Sequence, residues 1–170
     1  MPSLTLQAMV IAVISDTHLP RGARRIPDAC VDRMRESDLV IHAGDIATRD
    51  VLQEIEQLAA KPVAAVHGNV DSADLRNELP EARTVDADGA RIAVVHDAGP
   101  ATGRLTRMRK RFPDADAVVF GHSHLPLHEH EDGFQIFNPG SPTDRRRAPE
   151  HTMGVATVTG GRLEFELLVL

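Results

Sequence analysis

The sequence predicts an α/β protein built as a four-layer α/β/β/α sandwich, two mixed β-sheets flanked by helices. Over the first seventy residues, apolar runs alternate with amphipathic stretches in the order β-α-β-α-β, which implies parallel strands joined by right-handed crossovers. The last fifty residues instead hold short strands separated by two-residue turns, as expected of hairpins in a second sheet packed on the first. Five apolar runs end in Asp, His or Asn, and in such sheets ligands gather at the carboxyl ends of the strands.

Residues 1–8 read as a frayed leader ahead of a single domain over 9–170. Met9 to Ser15 is continuously apolar apart from its last residue, the pattern of a strand covered on both faces. Leu19-Pro20-Arg21-Gly22 forces a loop, and Cys30, Val31 and Met34 mark a short helix after Pro27. Leu39 to His42 is the second strand. Thr48 is the expected N-cap of the best helix signal, where Val51, Leu52, Ile55, Leu58 and Ala59 recur at helical spacing until Lys61-Pro62 stops it. Val63 to Val66 is the third strand. Arg83 to Asp86 and Arg91 to His96 flank Asp88-Gly89, a hairpin turn signal. Leu105, Met108 and Phe112 mark a helix whose other faces carry Arg104, Arg107, Arg109, Lys110 and Arg111, and Val118 to Phe120 returns to a buried strand. Two hairpins follow: Leu127 to Glu131 with Phe134 to Asn138 across Asp132-Gly133, and Gly154 to Thr159 with Arg162 to Leu168 across Gly160-Gly161.

At 170 residues the chain fits one domain, and 42% apolar residues can fill a core in which Phe supplies the only aromatic rings. A net charge of -6 argues against a protein that coats nucleic acid. The single cysteine, Cys30, has no intramolecular disulfide partner and reads as a buried thiol. No stretch approaches a membrane span and the amino terminus lacks the features of a secretory signal, so the expected location is cytoplasmic.

Asp16, His18, Asp45, Asn69, His96, His122 and His124 appear in the order Asp-x-His, Gly-Asp, Gly-Asn, His, Gly-His-x-His. Singly, each is a common strand-end or turn residue; jointly they argue for one polynuclear site. With the lead-in Ala117-Val-Val-Phe-Gly-His-Ser-His-Leu-Pro126 and the closing Phe137-Asn-Pro-Gly-Ser141, the pattern resembles the calcineurin-like metallophosphoesterase superfamily, in particular its small bacterial and archaeal phosphodiesterases. The resemblance spans about Ile11 to Ser141. It implies that Asp16, His18 and His124 hold one metal, that Asn69, His96 and His122 hold a second, and that Asp45 bridges both, with Asp45, Asn69 and His18 the catalytic candidates. Carboxylate, imidazole and a neutral amide oxygen suit borderline divalent ions, and the absence of cysteine ligands weighs against a structural zinc finger. Mn²⁺ is the first choice from the resemblance; Fe, Zn, Ni or Co fit the same donors. Two ions about 3.5–4 Å apart can share a hydroxide, lower its pKa toward neutrality and bind a phosphoryl oxygen. The implied reaction is in-line attack on a small phosphodiester or phosphomonoester without a covalent intermediate. Bound ions would add about four positive charges to an acidic chain.

The pattern is broken in two places. Many larger relatives carry Gly-Asn-His-Asp or Gly-Asn-His-Glu, whose His is proposed as an acid; here Gly68-Asn69-Val70-Asp71 offers a side chain that cannot donate a proton. A preference for good leaving groups follows, unless His18, Asp71 or a metal-bound water supplies the proton. Asp97 follows His96 where relatives have Gly, and either stabilises a turn or narrows the pocket. His42 and His67 precede ligand positions and either support those loops or serve as plain strand histidines. His128 and His130 share a strand face and could bind an extra metal, whereas His151 falls in a loop. Ser141 and Arg145, in Gly140-Ser141 and Arg145-Arg146-Arg147, are candidate substrate contacts, against the alternative of a solvated loop. Two rivals remain: a non-catalytic binding scaffold, since the superfamily includes a phosphoesterase-like subunit of the retromer coat, and a nuclease using the basic helix, which lacks an accompanying aromatic platform. Nucleic acid is not the expected main substrate, no membrane partner is expected, and oligomeric state is not readable.

Overall fold

Strand β1 (Met9–Ile14) lies at the centre of the molecule because its side chains are apolar on both faces: Ile11 and Val13 point into one core, Ala12 and Ile14 into another. In the computed structural model, which describes residues 5–22 and 24–170, the chain continues through α1 (Asp28–Glu36), β2 (Leu39–His42), α2 (Arg49–Ala59), β3 (Val63–Ala65), α3 (Ala73–Glu78), β4 (Ala82–Ala87), β5 (Ala90–Val95), α4 (Arg104–Arg111), β6 (Ala117–Val119), β7 (Leu127–Glu131), β8 (Phe134–Asn138), β9 (Thr152–Thr159) and β10 (Arg162–Val169). Of the expected leader, residues 1–4 lie outside the described residues, and residues 5–8 are exposed and carry no helix or strand.

Two mixed five-stranded sheets result, ordered β10-β9-β1-β2-β3 and β4-β5-β6-β8-β7. Their facing sides share one core in which Ile11, Val13 and Ile41 meet Ile92, Val94, Val119 and Phe137. Outside the first sheet, α1, α2 and α3 contribute Cys30, Met34, Leu52, Ile55 and Leu75 to a second core. Outside the second, Met108 of α4 packs with Ala93, Val118, Phe120 and Ile136. Alternation along β1, β5 and β6 thus feeds two cores at once, which is why these strands read as unbroken apolar runs.

The parallel pairs β1–β2 and β2–β3 are those implied by the β-α-β-α-β pattern, and Thr48 caps α2 by accepting the Val51 amide at 3.4 Å. The Asp88-Gly89 and Asp132-Gly133 turns are tight, with Ala87 opposite Ala90 and Glu131 opposite Phe134. One expectation needs correction: the β9–β10 hairpin does not join the second sheet. It extends the first, with β9 antiparallel to β1 (Ile11 opposite Ala156), because Ala156, Val158 and Leu163 complete the shared core on that side. Helix α3 was not anticipated. It is only six residues long, and its signal is the Ser72 cap, which accepts the Leu75 amide at 3.4 Å, together with the single buried Leu75.

Cys30 has no exposed surface, and burial pushes its thiol up to about 12. The native protein should therefore leave this thiol unlabelled by an aromatic disulfide reagent at pH about 8, where a free cysteine reacts readily. Unfolding in guanidinium should release one reactive equivalent; rapid labelling of native protein would contradict the burial.

Candidate metal centre

The polar residues that end β1, β2, β3, β5 and β6 converge because the first three strands run parallel in one sheet, β5 and β6 run parallel in the other, and both groups point their carboxyl ends to the same edge of the sandwich. Asp16, His18, Asp45, His96 and His124 are each at most 5% exposed, while Asn69 and His122 form the open side. Five of these seven residues have left-handed backbone: Asp16 (φ 57°), His18 (45°), Asp45 (58°), His122 (72°) and His124 (59°). Such backbone costs roughly 1–2 kcal/mol per non-glycine residue. Five instances cost about 5–10 kcal/mol, comparable to the ~5–15 kcal/mol net stability of a whole domain. Strain on that scale is retained where surrounding structure and function demand it.

The distances divide the cluster into two groups that could each hold a metal ion, Asp16-His18-His124 and Asp45-His96-His122. In the first, His18 Nε2 faces His124 Nε2 at 3.2 Å, and Asp16 Oδ1 lies 3.6 Å from His124 Nε2 and 4.0 Å from His18 Nε2. In the second, Asn69 Oδ1 stands 3.1 Å from both His96 Nε2 and His122 Nδ1. Asp45 Oδ2 lies between the groups, 3.2 Å from His96 Nε2 and 3.5 Å from His18 Nε2. All seven residues expected from the sequence are therefore within one cluster.

Hydrogen bonds aim these donors. His96 Nδ1–H donates to the Ala43 carbonyl at 2.7 Å, and His124 Nδ1–H donates to the Asp144 carbonyl; a carbonyl only accepts, so in each ring Nε2 is the nitrogen presented to the cluster. Asp16 accepts the Ser15 hydroxyl at 2.8 Å and the His122 amide at 3.0 Å. Asp45 Oδ1 accepts the Val70 amide at 3.1 Å, leaving Oδ2 for the cluster. His42, fully buried, takes the Gly44 amide on Nδ1 at 3.2 Å and meets the Thr17 hydroxyl with Nε2 at 3.0 Å, so it ties the loops after β1 and β2 together. Asp71 joins the loops after β2 and β3 by accepting the Gly68, Ala47 and Asp45 amides at 2.6, 2.7 and 3.2 Å. With both oxygens so engaged inside the protein, Asp71 is not placed as a proton donor to a bound substrate.

Electrostatics fit a cation site. Burial raises the Asp16 carboxyl to about 7, against the opposing effects of His96 and the Ser15 hydrogen bond. Burial also works to raise Asp45, but its hydrogen bond and charge interaction with His96 and the Val70 amide win and hold it near 2. His96 goes the other way: burial disfavours its cation, yet the Asp45 hydrogen bond and the charges of Asp16 and Asp45 raise it to about 9. Burial lowers His18 to about 4 and lowers His124 as well, with the Arg146 charge contributing to both. The protein alone thus balances its carboxylates with a protonated His96, and a divalent ion would replace that proton. Oxygen and imidazole donors without thiolate suit Mn, Fe, Co, Ni or Zn, so the residues present fit the expected group.

Asp16 and His96 bind protons more tightly in the metal-free protein than they would as ligands. Divalent-ion affinity should consequently rise as pH increases through about 7 and on toward about 9, with protons released on binding. Calorimetric titration of chelator-treated protein in buffers of different ionisation enthalpy measures that release; proton uptake, or affinity independent of pH, would contradict the coupling.

Other sequence candidates fall elsewhere. Ser141 is buried, and its hydroxyl donates to the Asp16 carbonyl at 2.8 Å while accepting the Thr143 and Asp144 amides, so it shapes the first ligand loop and does not face solvent as a substrate contact would. Arg145 turns back to the Ala148 carbonyl at 2.8 Å; its neighbour Arg146 lines the cavity beside His18. Asp97 Oδ1 accepts the Gly99 amide at 2.8 Å, the turn role. His128 bonds Gln135 at 2.8 Å and packs edge-on against Phe137 and Phe165, in a separate cavity that His130 also lines. Among the described residues, neither histidine belongs to a group able to hold a metal. Three of the five cations of the basic helix are turned to the protein, while Lys110 and Arg111 are exposed: Arg104 donates to the Gly99 carbonyl and lies over the Phe120 ring, Arg107 donates to the Ala98, Pro100 and Thr102 carbonyls, and Arg109 donates to the Glu131 carbonyl and lies over Phe134. No described helix is long and apolar enough to cross a membrane.

A family model for the calcineurin-like phosphoesterase superfamily domain matches residues 9–161. A protein named probable metallophosphoesterase from Methanothermobacter thermautotrophicus is 35% identical over 162 residues, covering 94% of this chain and 92% of that one. A protein of Methanocaldococcus jannaschii named as a phosphodiesterase is 27% identical, covering 78% of this chain and 83% of that one. The structure of vacuolar protein sorting 29 from Cryptosporidium parvum superposes with a TM-score of 0.77 over 96% of this chain and 98% of that one; at 19% identity it shares the fold.

Proposed function

The chain belongs to the calcineurin-like phosphoesterase superfamily, and we propose that it is a dinuclear metal-dependent phosphodiesterase acting on small phosphodiesters with good leaving groups. One observation carries the reading: five strand-end loops bring two carboxylates, one amide oxygen and four imidazoles within about one side chain's reach, although five of the seven residues need strained backbone. A binding scaffold has no chemical need for such a set.

On this reading Asp16, His18 and His124 would hold one ion and Asn69, His96 and His122 the other, with Asp45 the candidate ligand to both. When bound, a pair of divalent ions supplies an activated water at neutral pH and Lewis-acid binding of a phosphoryl oxygen. Mn²⁺ is the first ion to test. The chain's own contribution is orientation: the Ala43 and Asp144 carbonyls fix two imidazoles, the Val70 amide fixes Asp45, and His42 and Asp71 tie the loops.

Proton delivery supports the leaving-group preference. Val70 is 48% exposed beside the cluster and has no proton to give; His18, near 4, is unprotonated at neutral pH; Asp71 is engaged with backbone amides. A departing alkoxide receives no positioned acid from these side chains, a contribution worth roughly 10²–10⁴-fold where present. A single-turnover series of phosphodiesters with Mn²⁺-loaded protein, running from nitrophenyl to alkyl leaving groups, tests the reading. Rates should fall steeply as leaving-group basicity rises. Equal rates across the series would remove the preference. Absence of both tight divalent binding and aryl phosphodiester hydrolysis would favour the scaffold.

A further inference from the structure

Beside the first ligand group a cavity of about 230 Å³ opens to solvent, lined by His18, Leu19, Pro20, Arg21, Ala47, Val70 and Arg146. Its composition is unlike the buried cluster it adjoins. Leu19, Pro20, Ala47 and Val70 make apolar walls drawn from three different loops, and Arg21 and Arg146 are the charged residues among the described lining. At ~30 Å³ per water it holds about seven or eight waters. That is room for one ring-sized group.

Arg146 lines this cavity beside the first ligand group. Its backbone is left-handed (φ 47°), an unusual state for a residue with a long side chain, and it follows a segment fixed by the Ser141 hydroxyl and by the His124 bond to the Asp144 carbonyl. Its contact with Asp144, 3.7 Å from Nε, is looser than the 3.1 Å pair that the same carboxylate oxygen makes with Arg24. The Arg146 side chain is half-exposed, and the residue lines the cavity together with His18. Arg145 and Arg147, its neighbours in sequence, do not line the cavity.

Resting on the phosphodiesterase reading, we propose that Arg146 binds a phosphoryl oxygen of the substrate, and that the cavity walled by Leu19, Pro20, Ala47 and Val70 receives a single ring-sized apolar ester group of a small diester. A guanidinium offers paired donors to two oxygens of one phosphate. The apolar walls favour an aryl or similarly flat ester group over a methyl ester, because only the larger group displaces the cavity's water. Val70 thus serves as part of the ester-binding wall, and the position that carries an acid in larger relatives selects the substrate here.

Two variants separate the two contacts, using Mn²⁺-loaded protein of verified metal content. Arg146→Ala should weaken inorganic phosphate binding, followed by calorimetry, and raise KM for bis(4-nitrophenyl) phosphate, each by roughly tenfold or more, the size of a lost charged hydrogen bond; Arg146→Lys should recover part of both. Val70→Trp, which fills the cavity from its rim, should raise KM for the diester and leave phosphate binding within about twofold, since phosphate has no ester group. Unchanged phosphate binding in Arg146→Ala would overturn the arginine's role, and unchanged diester KM in Val70→Trp would overturn the ester site. Should wild-type protein bind phosphate but hydrolyse no diester, the phosphodiesterase reading fails by itself. The phosphate arm then still decides on Arg146, and competition with phosphate by diphenyl phosphate, weakened by Val70→Trp, decides on the cavity.

Discussion

Asp45→Asn should strip the protein of both metal ions and reduce phosphodiester hydrolysis by at least about 10³-fold, beyond the ~10–100-fold cost of losing a partner that merely orients a ligand. Among the described residues, Asp45 Oδ2 comes nearest to both halves of the cluster, 3.2 Å from His96 Nε2 and 3.5 Å from His18 Nε2, whereas Asp16 Oδ1 reaches His96 Nε2 at 3.9 Å. Asparagine keeps the shape and can keep the bond from the Val70 amide through its carbonyl. Its other terminal atom becomes an NH₂ group, a donor without charge or a free lone pair, directed at the place where two cations would share an anion. The same change removes the charge that helps hold His96 protonated near 9, so the metal-free variant should also show a lower His96 pKa by NMR titration. Metal analysis after dialysis, with turnover of an aryl phosphodiester, checks the main claim. Wild-type metal content and activity would remove the shared-ligand assignment. His151→Ala is the matched control: its residue lies outside the cluster, its backbone carbonyl taking the Leu170 amide, and both readouts should remain near wild type.

The sequence made the site's composition legible and left its mechanics hidden, for a physical reason. A strand buried on both faces must be apolar throughout, so the polar residues that end β1, β2, β3, β5 and β6 stand out against it, and parallel strands bring those ends to one side. The supporting contacts carry no such contrast. Asp71 reads as a turn residue until the loops after β2 and β3 are seen to share its carboxylate, and Ser141 looks like a phosphate contact until it is found buried under Asp16. Arg145, Arg146 and Arg147 are equivalent as letters; the left-handed turn at Arg146 selects the middle one. The β9–β10 hairpin was assigned to the wrong sheet because alternation shows that a strand has an apolar face and is silent about which sheet edge that face completes. Short α3 escaped because one buried leucine is too little to set a period.

Gly68→Ala should also damage the site severely, although glycine contributes no donor atom. A Cβ at position 68 would stand 2.5 Å from the Asp45 backbone nitrogen and 2.8 Å from Asp45 Cγ, and would also strike Oδ1. Side chains can often yield to an added methyl, but here the nearest obstacles include backbone, which is itself fixed by the Asp71 carboxylate through the Asp45, Ala47 and Gly68 amides. Relief requires the β3 loop to move away from the β2 loop. Such a movement lengthens the Val70 amide bond to Asp45 Oδ1 and carries Asn69 Oδ1 away from His96 and His122, so one small group disturbs both sides of the second ligand set. Overpacking of this kind typically costs about 1–3 kcal/mol in stability. The functional loss should be larger, on the order of 10²-fold or more in turnover, since misplacing reacting groups by about 1 Å can cost that much. Thermal unfolding of the chelator-treated variant isolates the packing cost, and turnover with saturating Mn²⁺ isolates the geometric one. A variant with wild-type turnover and an unchanged melting temperature would mean that the two loops are not held against each other at Gly68, and the close approach that places Asn69 opposite His96 would have to be abandoned.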